Sequence, residues 1–423
     1  MKQSIGIVLA LFLLGGCQSG QGRWPDGSWE GVAALDGVPF FISLDIEQGQ
    51  VFASIPEMLI TRTSVQSSLG SNGQLHAKLI LGPSSLEMVL TEESDKLIGK
   101  VIQNTSVGRI ELHPKGYRKI HRIQTRPSRE GEAVALKTPF GIVHGTFLVP
   151  DTKKPVAAVL LIAGSGPTDR DGNSEIMVEN NDMLWHLAQQ LREANIASLR
   201  YDKMGVGESQ FSEGFEEKEY TFDDSVAVAQ LLLAFLKADS RVDNVGVIGH
   251  SEGSLTALLS AAKMEVDFVI SLAGNADPID EQLVKQVQRV NQEAALVLSQ
   301  RLEQIARSEY QKTGNALVDA LVLEGSEAYL ARWMAYNPSE ILQACNVPAL
   351  VIKGDCDERL LFEDDWFSEA GMPDHVQFKI IRGMSHLLKE VDTPADVPRT
   401  YRERTLAVHP ELIELITTYI RNF

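Results

Sequence analysis

The segment Gly249-His250-Ser251-Glu252-Gly253 sets one serine between two glycines in a G-x-S-x-G pattern. A serine hydroxyl attacks an acyl carbon when a base takes its proton and a carboxylate holds that base. Nine histidines occur, and three follow the serine: His375, His386 and His409. His386 lies in Gly383-Met384-Ser385-His386-Leu387-Leu388, a loop directly after an apolar run, at the carboxyl edge of a strand. His375 precedes that run and is expected at the opposite edge, whereas His409 precedes a closing helical pattern and reads as a surface or capping residue. His250 neighbours the serine and is expected to turn away along the backbone. For the acid, Leu350-Val351-Ile352-Lys353-Gly354-Asp355-Cys356-Asp357 offers two carboxylates at a strand end. Both are candidates. Asp357, three residues past Gly354 in a loop able to reach His386, is preferred, and Asp355 reads as a loop cap.

Acyl transfer by serine also needs two N–H donors for the developing oxyanion. The backbone N–H of Glu252, next after the serine, is one candidate. The other comes from Ile162-Ala163-Gly164-Ser165-Gly166-Pro167, where glycines let the backbone approach a substrate, and the Ser165 amide is chosen. These groups converge only if the elements around them do. Val245-Gly246-Val247-Ile248 reads as a buried strand and residues 254–262 as a helix, so the serine sits on a sharp strand-to-helix turn. The pentapeptide alone is a weak signal in a chain with 33 glycines, and this context strengthens it.

The rest of the chain has two grammars. Over residues 24–116 the pattern has period two: Phe40, Ile42, Leu44 and Ile46; Leu75, Ala77, Leu79 and Leu81; Leu86, Met88 and Leu90. Asp36-Gly37, Ser71-Asn72-Gly73 and Gly82-Pro83-Ser84 mark turns between such runs, which predicts a small antiparallel sandwich or barrel. Residues 117–130 read as a linker. Over 131–423 apolar strands at 156–163, 196–201, 245–248, 268–272, 349–352 and 376–381 alternate with helices, which predicts a parallel sheet covered on both faces. At about 278–339 the strands stop, and Leu283, Val287, Val290, Ala294 and Val297 repeat at helical spacing. This is a helical insertion that reads as a lid, its apolar stripe reading as core.

Four segments together carry a family resemblance: Gly164-Ser165-Gly166-Pro167-Thr168-Asp169-Arg170-Asp171, Arg200-Tyr201-Asp202-Lys203-Met204-Gly205-Val206-Gly207-Glu208-Ser209, the Gly249 pentapeptide, and residues 383–388. In them the chain resembles the α/β-hydrolase superfamily, and most of all bacterial secreted esterases of the serine aminopeptidase-like type. The resemblance covers residues 130–423 and implies the fold, the order Ser251, Asp357, His386, and an N-terminal sheet module. It departs from the family at Met204, where arginine is usual, and at Arg359, where a small apolar residue often follows the acid. Asp169, Arg170, Asp171, Arg200 and Asp202 read as an ion-pair network bracing the oxyanion loop.

At the N-terminus, Met1-Lys2, an apolar stretch over 5–14 and Gly15-Gly16-Cys17 describe a secretory signal over residues 1–16, too short for the ~20 apolar residues of a membrane span. Leu14-Gly15-Gly16-Cys17 resembles the lipobox of bacterial lipoproteins, which implies cleavage before Cys17, lipidation of its thiol, and a polar tether over 17–23. That places the protein in the cell envelope, at the outer membrane or periplasm of a Gram-negative cell, or secreted. The net charge of −18 argues against a nucleic-acid partner. Cys345 and Cys356 flank a predicted strand, which sets them beyond the ~7 Å reach of a disulfide. No residue spacing suits a metal, and no glycine loop cradles a phosphate, so no cofactor is expected. The sequence thus points to a lipid-anchored serine carboxylesterase acting on a small acyl ester. A peptidase or amidase with the same triad and a non-catalytic envelope-binding protein are the alternatives.

Overall fold

The computed structural model describes residues 26–423 apart from 36–37, 56–59, 71–72, 82–83, 94–95, 104–105, 115–129, 175–179, 310–312, 314, 316–317, 319–321, 323–324, 358–372, 394–395 and 402. The expected signal segment, Cys17, the tether, most of the linker and Arg359 lie outside the described residues.

The period-two segments form eight antiparallel strands. These are β1 (Gly27–Leu35), β2 (Val38–Glu47), β3 (Gln50–Ile55), β4 (Ile60–Leu69), β5 (Leu75–Leu81), β6 (Ser84–Glu93), β7 (Lys96–Gln103) and β8 (Ser106–Pro114). Each pairs with the next, and β1 pairs back onto β8 with Gly31 opposite Leu112, so the sheet closes into a barrel. Alternate side chains point inward. Ile42, Leu44, Ile46, Leu75, Ala77, Leu79, Leu86, Met88 and Leu90 are all buried there in one core. Of the sandwich and the barrel that the pattern allows, the chain adopts the barrel, which leaves no unpaired edge.

The second sheet has nine strands. They are β9 (Glu132–Lys137), β10 (Gly141–Leu148), β11 (Val156–Ile162), β12 (Ala197–Tyr201), β13 (Gln210–Phe211), β14 (Val242–His250), β15 (Phe268–Leu272), β16 (Ala349–Cys356) and β17 (Val376–Ser385). Their order is β13-β10-β12-β11-β14-β15-β16-β17, with β9 paired to β10. Pairing is parallel from β12 to β17 and antiparallel around β10. Every residue of β12 and β15 is buried, including Ser198 and Arg200 of β12 and Ser271 of β15, so both faces of these strands are covered.

Helices cover both faces. Val159 and Leu161 of β11 pack with Leu184, Leu187 and Leu191 of α1 (Met183–Glu193). Ala158, Leu160 and Ile162 pack with Leu232 and Leu236 of α2 (Phe222–Ala238) and Ala257 and Leu258 of α3 (Glu252–Met264). Alternation along one strand thus feeds two cores. Among the described residues, the insertion includes α4 (Ile279–Val290), α5 (Gln292–Ala306), α6 (Glu327–Met334) and α7 (Pro338–Ala344). Its stripe forms a core of its own, with Val287, Ala294, Leu298, Leu302 and Leu330 buried together. A short α8 (Val397–Thr400) and the closing α9 (Pro410–Ile420) follow, α9 capped by the His409 ring, which accepts from the Glu411 N–H at 3.2 Å.

The sheet also fixes where a site can form. The chain leaves β11 for β12 on one side, and leaves β14 for β15 on the other, although β11 and β14 are neighbours. A crevice opens at the carboxyl ends of strands where the winding reverses in this way. The residues leaving those two ends are Gly164-Ser165 and Ser251.

Candidate active site

Ser251 is the hinge between β14, which ends at His250, and α3, which starts at Glu252. Its backbone stands at φ 55° and ψ −120°. L-residues with a side chain rarely occupy this region, and such strain persists only where the surroundings impose it. Here they do. The Ser251 N–H donates to the Leu272 carbonyl at 2.9 Å. A Cβ on Gly249 would lie 2.0 Å from the Gly253 carbonyl oxygen, and one on Gly253 would lie 2.5 Å from that of Ile162. Both glycines of the motif are therefore demanded by close backbone approach. His250 and Glu252 are buried and Ser251 is partly exposed, so the turn presents the serine alone.

His386 and Asp357 come together from the ends of β17 and β16, beyond β15 in the sheet. Asp357 directly follows β16 and His386 directly follows β17. The His386 Nδ1 lies 3.0 Å from Oδ1 and 3.0 Å from Oδ2 of Asp357, with both side chains buried. Asp355 does something else. Its Oδ1 accepts from the Gly383 N–H at 2.5 Å and tethers the end of β17, which His386 follows. Among the described residues, no hydrogen bond joins the Ser251 hydroxyl to His386. Such contacts often tighten only when substrate is bound.

His250 is the residue the sequence misplaced. Its ring does not leave the site: it lies 4.9 Å from the His386 ring, and its Nε2 is 2.8 Å from the His386 carbonyl oxygen. The side chain on the far side of the serine's own turn thus fixes the main chain of the His386 loop. The available signal was its place next to Ser251 at a buried strand end.

Gly164 faces Ser251 across the crevice, and a Cβ there would lie 3.2 Å from the Ser251 Cβ. Ser165 is exposed beside it, and its carbonyl accepts from the Thr168 hydroxyl at 3.3 Å. The Glu252 N–H opens α3 and is one of the donors a helix start leaves unpaired. The charged residues behind this loop form a network. Arg170 grips Asp202 through Nε at 3.0 Å and Nη2 at 2.6 Å, and its backbone N–H donates to the same carboxylate at 2.8 Å. Arg200 pairs with Asp171. Burial is the main effect on the Asp169 carboxyl; the Asp171 and Asp202 anions add to it and the N–H groups of Asn173 and Asp171 oppose it, leaving it pushed up to about 7.

The insertion reaches the same turn. The Glu252 side chain is buried, and its Oε1 accepts from Lys203 Nζ at 2.7 Å and from the Tyr329 hydroxyl of α6 at 2.9 Å. Tyr329 sits in an aromatic cluster with Phe222 and Trp333, whose rings stack at 5.8 Å. Arg332 of this helix and Tyr336 just beyond its end both donate to Asp223. Nothing in the sequence signalled Tyr329, which stands 77 residues beyond its partner.

A mostly parallel sheet in this order, with helices on both faces and a serine on a strained turn at the winding reversal, defines an α/β-hydrolase. Residues 177–392, just over half of the chain, match the family model described as serine aminopeptidase, S33, and the chain belongs to that family. Esterase EstD of Thermotoga maritima is 25% identical over 247 residues, 58% of this chain and 57% of that protein. The match thus spans less than two thirds of the curated relative's length. Among solved structures, the chain is similar to Est1E from Butyrivibrio proteoclasticus with bound ferulic acid, at 16% identity and TM-score 0.42, covering 69% of this chain and 97% of that one. It is likewise similar to an α/β serine hydrolase homologue from Coxiella burnetii, at 18% identity and TM-score 0.40, covering 70% of this chain and 98% of that one.

Proposed function

We propose that the protein is a serine carboxylesterase working through an acyl-enzyme. The observation that carries this reading is the pairing of a strained, partly exposed Ser251 with a buried His386–Asp357 couple at the same sheet edge. Ser251 Oγ attacks the acyl carbon as its proton passes to His386 Nε2, and Asp357 stabilises the imidazolium. The N–H groups of Glu252 and Ser165 receive the oxyanion, each such donor contributing ~2.7–4 kcal/mol in comparable sites. His386 then protonates the leaving alcohol, and water, activated by the same imidazole, releases the acid and frees Ser251.

The family's aminopeptidase description keeps amide cleavage as the second reading. An aminopeptidase has to hold the free ammonium of its substrate with an anion. The carboxylate one residue from Ser251 is already engaged by Lys203 and Tyr329, which supports esters. We further propose that the protein is anchored in the cell envelope through lipid on Cys17.

Ser251→Ala is expected to abolish hydrolysis of p-nitrophenyl esters and labelling by a fluorophosphonate probe, with an unchanged circular dichroism spectrum. Retained turnover in the purified variant would end the claim for Ser251. A panel of acyl esters of rising chain length beside aminoacyl amides separates the esterase from the peptidase.

A further inference from the structure

The residue that follows Ser251 carries a carboxylate, and the reading above asks its N–H to hold a developing anion. A buried carboxylate so near opposes that anion, and the low polarity of the interior sharpens the repulsion. We propose that Lys203 cancels the Glu252 charge, so that the oxyanion forms beside a neutral pair, and that Tyr329 holds the pair in register with the insertion. The proposal rests on the assignment of the Glu252 N–H as an oxyanion donor.

Geometry supports it from three sides. Lys203 Nζ and the Tyr329 hydroxyl meet on one oxygen, Oε1 of Glu252, at 2.7 and 2.9 Å, so the carboxylate has one fixed orientation. Lys203 is itself held rigidly. Its backbone N–H donates to the Thr168 carbonyl at 3.3 Å, the Lys203 carbonyl accepts from the Val206 N–H at 3.0 Å, and the neighbouring Asp202 is gripped by Arg170. Through Thr168, whose hydroxyl donates to the Ser165 carbonyl, Lys203 is also joined to the loop of the other proposed donor. The field of the carboxylate is felt nearby: burial pushes the Tyr201, Tyr220 and Tyr329 phenols up, and the Glu252 anion adds to each shift. Lys203 and Glu252 side chains are thus positioning groups, acting on the substrate only through the charge they present to the oxyanion.

A double-mutant cycle tests this. Lys203→Met is expected to lower kcat on a p-nitrophenyl ester by about ten- to a hundredfold, with KM changed by less than about threefold, because the lost effect is confined to the transition state. Glu252→Gln keeps the hydrogen bond from Tyr329 and removes the charge. Adding it to Lys203→Met is expected to restore kcat to within a few-fold of Glu252→Gln alone, which a purely structural lysine would not allow. A full kcat in Lys203→Met, or a double variant no faster than Lys203→Met, overturns the proposal. Ser251→Ala is run alongside. If it is inert while the cycle shows no coupling, the charge-cancelling pair fails and the site reading stands. If Ser251→Ala still turns over, both fall.

Discussion

Two carboxylates stand two residues apart at the end of β16, and their partners tell them apart. Asp357 meets His386 Nδ1 through both oxygens, whereas Asp355 caps the Gly383 N–H. Asp357→Asn is therefore expected to cost more than about tenfold in kcat, since an amide there favours the wrong imidazole tautomer. Asp355→Asn keeps an acceptor oxygen for Gly383 and is expected to cost much less. Measured kcat values in the reverse order would reassign the acid. At this scale the candidate residues were legible from their places after strands and from the chain order the fold implies. His386 and Asp357 follow strands, and their order after Ser251 suffices to propose them. The Lys203–Glu252–Tyr329 junction was not legible, because a single tyrosine in a helical stretch carries no mark of what it touches.

The strand–turn–helix unit is the element on which the proposed chemistry depends. Its serine occupies a backbone region that only the surrounding contacts sustain, and its glycines leave no room for a side chain. Gly249→Ala would drive a Cβ to 2.0 Å from the Gly253 carbonyl oxygen, so the turn has to open. The variant is expected to lose ~1–3 kcal/mol of stability, as overpacked sites do. A slower fluorophosphonate reaction at Ser251 should accompany it. A thermal melt and labelling rate equal to the parent's would show that the turn does not need its glycine. The strands flanking this unit, β11 and β15, were readable from their predominantly apolar sequences. The antiparallel strands β9, β10 and β13 were not: β13 is two residues long, β9 and β10 depend on pairing with each other, and Ile142 of β10 is even exposed.

Across the whole molecule, alternation announced a β module and left its closure open. Closure rests on β1 meeting β8, a pairing between residues some eighty positions apart that no local pattern encodes. The barrel ends at Pro114 and the second sheet begins at Glu132. The proposed lipid anchor belongs to this scale. Cys17→Ser is expected to block lipoprotein processing and leave unprocessed precursor in the membrane fraction. Mass spectrometry of the mature N-terminus checks it, and a soluble wild-type protein with an unmodified Cys17 would refute the anchor without touching the hydrolase reading. The two sheets also differ in how they are wired, and this bears on how the chain reaches its native state. Seven of the eight barrel contacts join successive strands, so hairpins zip up with little loop-closure entropy. The second sheet has to bring β11 to β14 and β15 to β16 across long intervening segments, and its last strand is complete only at Ser385. High sequence separation slows folding and prolongs the exposure of apolar strands. During synthesis every barrel strand is made before the second sheet is complete, and Ser251 is made before His386, the residue proposed as its base.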